Sequence, residues 1–270
     1  MTLSEVKERL REMGLRPSKK LGQHFLIDET IANRQVQYAD VGKGDIVLEI
    51  GPGLGTLTRI LAKRAKKVIA VELDSLIAEY LKKDLPDVEI IQGDILKIEV
   101  PEFDKVVSNL PFKISSPVTF KLLGHEFKEA ILMYQKEFAQ RLVANKGDPG
   151  YSRLSVNAYY KARCETLETV PKSAFYPEPK VDSSIVRMTP RQPTFDVEDE
   201  EHFYRLVKAL FTHRRKKIGN SLLLAWRELC DSEESMSNII SDLPSSDMRV
   251  EQLSPEDMGD LSNKILHGKV

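Results

Sequence analysis

The sequence predicts an α/β fold: a doubly wound, mostly parallel β-sheet within residues 1–190, then a small all-helical domain over 191–270. Three observations lead there. Short β-branched runs alternate with amphipathic stretches between 45 and 135, and a glycine-rich turn follows the first of those runs. At Pro190 and Pro193 the composition shifts to a helical pattern that lasts to the end. Strand–helix alternation with short connections means βαβ units and a parallel sheet. A proline-marked change of composition is where domains part.

Taken in order, residues 1–20 form a basic extension with six basic and three acidic side chains. Mixed charge at helical spacing and no apolar h-region argue against a secretory signal. DIVLEI (45–50), KVIAVE (67–72), VEIIQ (88–92), DKVVSN (104–109) and EAILMY (129–134) read as strands. TLTRILAKRA (56–65) and DSLIAEYLKKDL (74–85) carry apolar residues at i, i+3 and i+4 and read as helices between them. RLSVNAYYKARCETLETV (153–170) and DSSIVRMTP (182–190) read as two longer strands joined by a proline-rich extended segment. With no helix between them they suit an antiparallel hairpin at the sheet edge. EEHFYRLVKALFTHRRKKIGNSLLLAWREL (200–229) reads as helical throughout, followed by short polar helices.

Bulk properties narrow the class. Of 270 residues 41% are apolar and 30% charged, and no window approaches the ~18 consecutive apolar residues of a membrane span, so a soluble, cytoplasmic globular protein is expected. Cys164 and Cys230 have no CxxC motif and no His partner at metal spacing, and read as thiols in a reducing cytoplasm, with no metal site. A net charge of −1 and a pI near 6.6 do not advertise nucleic acid. The distribution is less neutral, because a compact HRRKK run (213–217) interrupts a tail with 11 basic and 15 acidic residues. Such a run is either a solvated helix face or a phosphate contact, since counterion release rewards local clusters.

Ligands of doubly wound sheets sit beyond the carboxyl ends of the strands, so the residues ending each strand carry the functional information. LEIGPGLGTLT places Gly51, Gly53 and Gly55 after the first strand, where glycine permits a tight turn and close approach to a ligand. The G-x-G-x-G spacing, with Pro52 inside it, differs from the G-x-G-x-x-G of dinucleotide binders and favours a zwitterionic or neutral ligand. Glu72 ends the second strand 21 residues after Gly51, where an acid accepts both hydroxyls of a ribose. The alternative role of helix cap falls to Asp74. Asp94 ends the third strand, placed either for the exocyclic amine of an adenine or for an ordinary Gly-Asp turn. Tail, ribose and base sites together point to S-adenosylmethionine.

SNLPFKISSP (108–117) ends the fourth strand. The Asn109 side-chain oxygen accepts one hydrogen bond, and the Leu110 carbonyl, released because Pro111 breaks the ladder, accepts another. Two acceptors match the exocyclic NH2 of adenine. Holding both protons draws the nitrogen lone pair out of the ring and aims it at a methyl group, while Phe112 stacks on the purine. The chemistry is positioning and requires neither a strong base nor a metal. The target base must be flipped or looped out, a condition that DNA and RNA both satisfy.

These residues resemble a known family, the small-subunit ribosomal RNA adenine N6,N6-dimethyltransferases of the KsgA type, over nearly the whole chain. The signatures are KKLGQHFLID (19–28), LEIGPGLGTLT (48–58), VELD (71–74), GDIL (93–96), SNLPFKISSP, LMYQKEFAQRLVA (132–144), YSRLSV (151–156), FYPEPKVDSSIV (175–186) and FTHRRKKIGNSL (211–222). LMYQKEFAQRL is similar to the archaeal and eukaryotic branch. The resemblance implies a Rossmann-like, seven-stranded class I methyltransferase sheet with a helical C-terminal rRNA-binding domain. It implies an S-adenosylmethionine site at His24, Leu26, Gly51, Gly53, Glu72, Asp94 and Asn109, and a catalytic segment Asn109, Leu110, Pro111 and Phe112. Phe175 matches an aromatic that sandwiches the target base, with core packing as its competing role. Lys19, Lys20, Arg214, Arg215, Lys216 and Lys217 are expected on rRNA phosphates. The implied substrate is a pair of adjacent adenines in a hairpin loop near the 3′ end of small-subunit rRNA, within an immature subunit, acted on by a monomer.

Three positions depart from the family pattern. His24 stands where Asn is usual, and imidazole, unlike an amide, can take up a proton near neutral pH. Phe112 replaces a common Tyr and Lys113 a common Asn. Three rival readings stand beside this one. A large-subunit rRNA methyltransferase is opposed by FTHRRKK and the full helical tail. A non-catalytic assembly or transcription factor on the same fold would be expected to lose Asn109 or the glycine turn. A nicotinamide oxidoreductase is opposed by the glycine spacing.

Overall fold

The computed structural model describes residues 1–18 and 21–268, so Lys19 and Lys20 lie outside the described residues. Its strands are β1 (Phe25–Leu26), β2 (Ile46–Ile50), β3 (Lys67–Glu72), β4 (Glu89–Gln92), β5 (Lys105–Asn109), β6 (Glu129–Gln135), β7 (Ala162–Val170), β8 (Phe175–Tyr176) and β9 (Ser183–Pro190). Its α-helices are α1 (Leu3–Glu12), α2 (Glu29–Tyr38), α3 (Thr56–Arg64), α4 (Ser75–Asp84), α5 (Ser115–Leu122), α6 (Lys136–Leu142), α7 (Arg153–Lys161), α8 (Glu200–Thr212), α9 (Ile218–Leu229), α10 (Glu233–Ser241) and α11 (Pro255–His267).

Seven strands form one sheet in the order β4-β3-β2-β5-β6-β9-β7. The chain steps outward from β2 through β3 to β4, then returns to the other side of β2 as β5, which makes the β2/β5 boundary the switch point. The pairs β2–β3, β3–β4, β2–β5 and β5–β6 are parallel, and β9 joins β6 antiparallel. Val47, Leu48, Ile69, Ala70, Val106, Val107 and Ala130–Tyr134 are at most 1% exposed. Burial of successive residues means both sheet faces are covered, as parallel sheets require. β1 and β8 pair apart from this sheet, with Phe25 opposite Tyr176 and Leu26 opposite Phe175.

The chain divides into two compact units, 1–139 with 163–190, and 140–162 with 191–270. Residues 140–162, grouped by sequence with the first domain, thus belong to the second unit. Part of that segment also departs from its expected conformation. Leu154, Val156, Ala158 and Tyr160 alternate like a strand, yet 153–161 is helix α7, and only 162–170 is strand. Six of its nine residues are buried, including Ser155 and Asn157, so polar as well as apolar positions face inward and the alternation of apolar residues misleads. The second unit packs Phe203, Leu206, Val207, Leu210, Ile218, Leu222 and Met258 around Tyr151 and Val156. Tyr151 donates its hydroxyl to the Leu253 carbonyl at 3.0 Å. Among the described residues no helix is long and apolar enough to cross a membrane.

The long helical pattern 200–229 is also interrupted. α8 ends at Thr212, residues 213–217 form a turn, and Lys217 bridges to Arg249 before α9 begins at Ile218. Four consecutive cations, Arg214–Lys217, would crowd a single helical turn, where like charges repel. The basic run is therefore a loop, not a helix face.

Candidate active site

A cavity of about 200 Å³ opens at the carboxyl ends of β2, β3, β4 and β5, with Met133 of β6 in its wall. The glycine turn forms its floor. Gly51, Gly53 and Gly55 all have positive φ (72°, 54° and 83°), which only glycine adopts without strain. A Cβ on Gly51 would stand 3.0 Å from Pro111 Cγ, and one on Gly53 would stand 3.1 Å from the Phe25 ring. The turn therefore lies as close to its neighbours as backbone can.

Glu72, 7% exposed, accepts the Asp74 N–H at Oε1 (2.9 Å) and the Gly53 N–H at Oε2 (3.3 Å). Its carboxyl keeps further lone pairs for a ligand. Burial pushes its pKa up to about 7 against the pull of those two N–H groups. Asp74 caps α4 by accepting from Leu76 and Ile77, so Glu72 is not spent on that helix. Asp94 lines the cavity, and its Oδ1 accepts the Leu96 N–H at 3.0 Å, as in an Asx turn.

Asn109 ends β5 with its Oδ1 buried and, among the described residues, without a hydrogen-bond partner. Leu110, Pro111 and Phe112 continue the wall. A buried acceptor without a donor is costly, at about 1–3 kcal/mol, and one at a cavity wall is open to a donor from within the cavity. Phe112 lies 6.4 Å from Phe175 with the rings at 69°, an edge contact, and 5.6 Å from the His24 ring at 33°. Phe175 lines the cavity, is 4% exposed and packs in the core.

His24 lines the cavity, and its Nδ1 sits 2.6 Å from the Pro177 carbonyl. That carbonyl accepts, so Nδ1 carries the proton and Nε2 is the remaining polar atom. The 21–25 segment is tied down further: Gln23 takes the Ser18 N–H at Oε1 (2.8 Å) and donates to Asp74 at 3.4 Å. Leu26 is the exception among the expected donor contacts. It lies behind the wall, 4% exposed and paired with Phe175, and its carbonyl accepts the Thr56 hydroxyl at 3.1 Å.

The basic loop belongs to the second unit. Arg214 pairs with Glu251 at 3.3 Å and donates to the Pro149 carbonyl, and Lys217 pairs with Asp247 at 2.7 Å. Arg215 and Lys216 are exposed and, among the described residues, have no carboxylate partner. Arg249, missed in sequence, lines the same concavity as Arg214–Lys216. Among the described residues no group of three or more His, Cys, Asp or Glu could hold a metal.

Sequence reasoning placed Glu49 at a strand end without giving it a role, and missed Gln35. Glu49 is 1% exposed beneath the glycine turn, and burial pushes its pKa up to about 8, with the Glu72 charge adding to that. Gln35 occupies the buried stripe Ile31, Ala32, Gln35, Val36 of α2. An amide at an apolar-face position was the signal available in the sequence.

Three comparisons bear on this geometry. The family model described as ribosomal RNA adenine dimethylase matches residues 14–266. The chain is 49% identical over 249 residues to a probable ribosomal RNA small subunit methyltransferase A of Thermococcus gammatolerans, covering 92% of this chain and 88% of that relative. Among solved structures it is similar to a dimethyladenosine transferase from Plasmodium falciparum, with 31% identity and a TM-score of 0.75 over 90% of this chain and 96% of that one. It is also similar to the 23S rRNA methyltransferase ErmE, with 30% identity and a TM-score of 0.65 over 89% and 99%.

Proposed function

The chain belongs to the ribosomal RNA adenine dimethylase family and is a methyltransferase, and from that premise we propose that it uses S-adenosylmethionine to dimethylate N6 of two adjacent adenines. The proposed target is a hairpin loop near the 3′ end of small-subunit rRNA, modified during small-subunit biogenesis in the cytoplasm. The small-subunit assignment follows the name borne by the Thermococcus relative, which is more similar in sequence than ErmE. The observation that carries the reading is the partnerless Asn109 Oδ1 at the cavity wall.

The residues present fit the methyl donor. Gly51 and Gly53 line the cavity with backbone alone, Glu72 offers acceptors for a ribose diol, and Asp94 faces the same cavity for an adenine amine. When bound, the donor supplies an electrophilic methyl group. The chain's own contribution is orientation: Asn109 Oδ1 and the Leu110 carbonyl accept the two protons of the target amine, and Phe112 stacks on its ring. Phe175 meets Phe112 by an edge, so it closes the pocket's side. His24 holds the entrance segment against Pro177. The exposed Arg215 and Lys216, with Lys19 and Lys20, contact rRNA phosphates.

Mass-spectrometric mapping of methyl groups after incubation with unmethylated small subunits and S-adenosylmethionine tests the reading. Two adjacent dimethyladenines in small-subunit rRNA are expected. Methylation confined to large-subunit rRNA, or heat of binding with NAD and none with S-adenosylhomocysteine, would overturn it.

A further inference from the structure

Two strand ends meet at the switch point, and what holds them apart is not a β-ladder. β2 and β5 share only two register pairs, Val47 with Lys105 and Leu48 with Val106. Both strands continue for further residues, to Ile50 and Asn109. Gly51 gives its N–H to Val71 of β3 at 2.9 Å, and successive residues of a strand address opposite neighbours, so both backbone groups of Ile50 face β5. Beyond the last ladder pair they would be buried orphans.

The Ser108 hydroxyl closes that gap. It accepts the Ile50 N–H at 3.2 Å and donates to the Ile50 carbonyl at 2.5 Å. One side chain thus replaces a strand pair at the position immediately before Gly51 and immediately before Asn109. Ser108 is itself braced. Gln35 donates from Nε2 to the Ser108 carbonyl at 3.1 Å and to the Ile131 carbonyl of β6 at 3.2 Å. Both Ser108 and Gln35 are 0% exposed. A buried chain of hydrogen bonds therefore runs from β6 through α2 and β5 to β2, one residue beneath the cavity. Above it there is no slack, because Pro111 already touches the space beside Gly51.

We propose that Ser108, braced by Gln35, is a positioning residue that sets the span between the glycine turn and the Asn109–Leu110 acceptors. This rests on the donor and amine sites proposed above. Methyl transfer needs reacting atoms about 3–3.5 Å apart, and a displacement of ~1 Å costs on the order of 10²-fold in rate. Removing the hydroxyl leaves the Ile50 N–H and carbonyl to find water or to pull the strands to a new spacing. Either event moves the amine acceptors relative to the donor while leaving each half-site's own residues in place.

The test compares wild type, Ser108→Ala, Ser108→Thr and Gln35→Leu. Each is assayed for methyl transfer to unmethylated small subunits at saturating donor, S-adenosylhomocysteine affinity by calorimetry, and Tm. Ser108→Ala is expected to lose about 10²-fold in kcat per folded molecule while its Kd stays within about threefold. Ser108→Thr, which keeps the hydroxyl, recovers most of the rate. Unchanged kcat per folded molecule, or equal losses in kcat and donor affinity, would overturn the proposal. Should Ser108→Ala not fold, Gln35→Leu decides by the same split. A wild type that binds S-adenosylhomocysteine but methylates no RNA overturns the function proposed above and this role with it. A competent wild type beside an equally competent Ser108→Ala overturns the positioning role alone.

Discussion

Glu49 sits on β2 with 1% exposure, and among the described residues its Oε2 has no hydrogen-bond partner. Burial raises its pKa from the ordinary 4.5 to about 8, the neighbouring Glu72 charge adds to this, and the Thr58 hydroxyl and Arg59 oppose it. The folded pKa lies above the unfolded one, so between these values the folded chain holds a proton that the unfolded chain has released. Stability from this group is therefore fully present below pH 4.5, falls as pH rises, and levels off above about pH 8. Glu49→Gln keeps the shape and removes the titration. At ~1.4 kcal/mol per pH unit, the window from pH 5 to 8 is worth at most roughly 4 kcal/mol, and relaxation of the surroundings should leave about 2 kcal/mol. With ~2–4 °C of Tm per kcal/mol for a chain of this size, the variant's Tm advantage should widen by about 5 °C across that window. Thermal unfolding of both proteins at pH 5, 6.5 and 8 measures it. Glu72 titrates in the same range but is present in both, so its direct contribution cancels in the difference. A Tm gap that stays constant or narrows with pH would refute the reasoning. The result also bears on the proposed donor site, since a neutral Glu49 leaves Glu72 as the one carboxyl of the pair that need carry charge.

Asn109→Ala removes the proposed amine acceptor, which has no hydrogen-bond partner among the described residues, so transfer should fall by orders of magnitude while S-adenosylhomocysteine affinity stays within about tenfold. Equal losses in calorimetry and in single-turnover transfer would make Asn109 chiefly a donor ligand. Replacing Arg215 and Lys216 by Gln should flatten the slope of log affinity for rRNA against log salt by about 1.5, because each phosphate contact contributes ~0.7–0.9. Arg214 and Lys217 already have carboxylate partners and should each contribute less. A slope unchanged by the double replacement would mean the loop does not touch phosphate.

The strand ends were legible because a parallel sheet converts chain order into geometry. Once β2 to β5 were read as successive parallel strands, Gly51, Glu72, Asp94 and Asn109 had to emerge on one rim, and all four line one cavity. His24 was not legible in that way. It reaches the cavity from an irregular segment pinned by β1, β8 and a bond to Pro177, contacts spanning about 150 positions that no local periodicity encodes. α7 was misread for the opposite reason, since Leu154, Val156, Ala158 and Tyr160 alternate locally while the polar Ser155 and Asn157 between them are buried as well.

Ser108 and Gln35 mark a third kind of limit. Each has an ordinary local reading, a polar residue near a strand end and an amide on a helix, and neither lines the cavity. Their significance appears only when the β2–β5 ladder is seen to stop short, which depends on how far two distant strands stay paired. A switch point has to open to admit a ligand, and opening it strips backbone groups of their partners. The same parting of strands that makes room for chemistry therefore creates a demand for a buried hydroxyl beneath it. In this chain the residue that meets the demand is the immediate neighbour of Asn109, so the spacing of the site is set one residue away from the side chain that uses it.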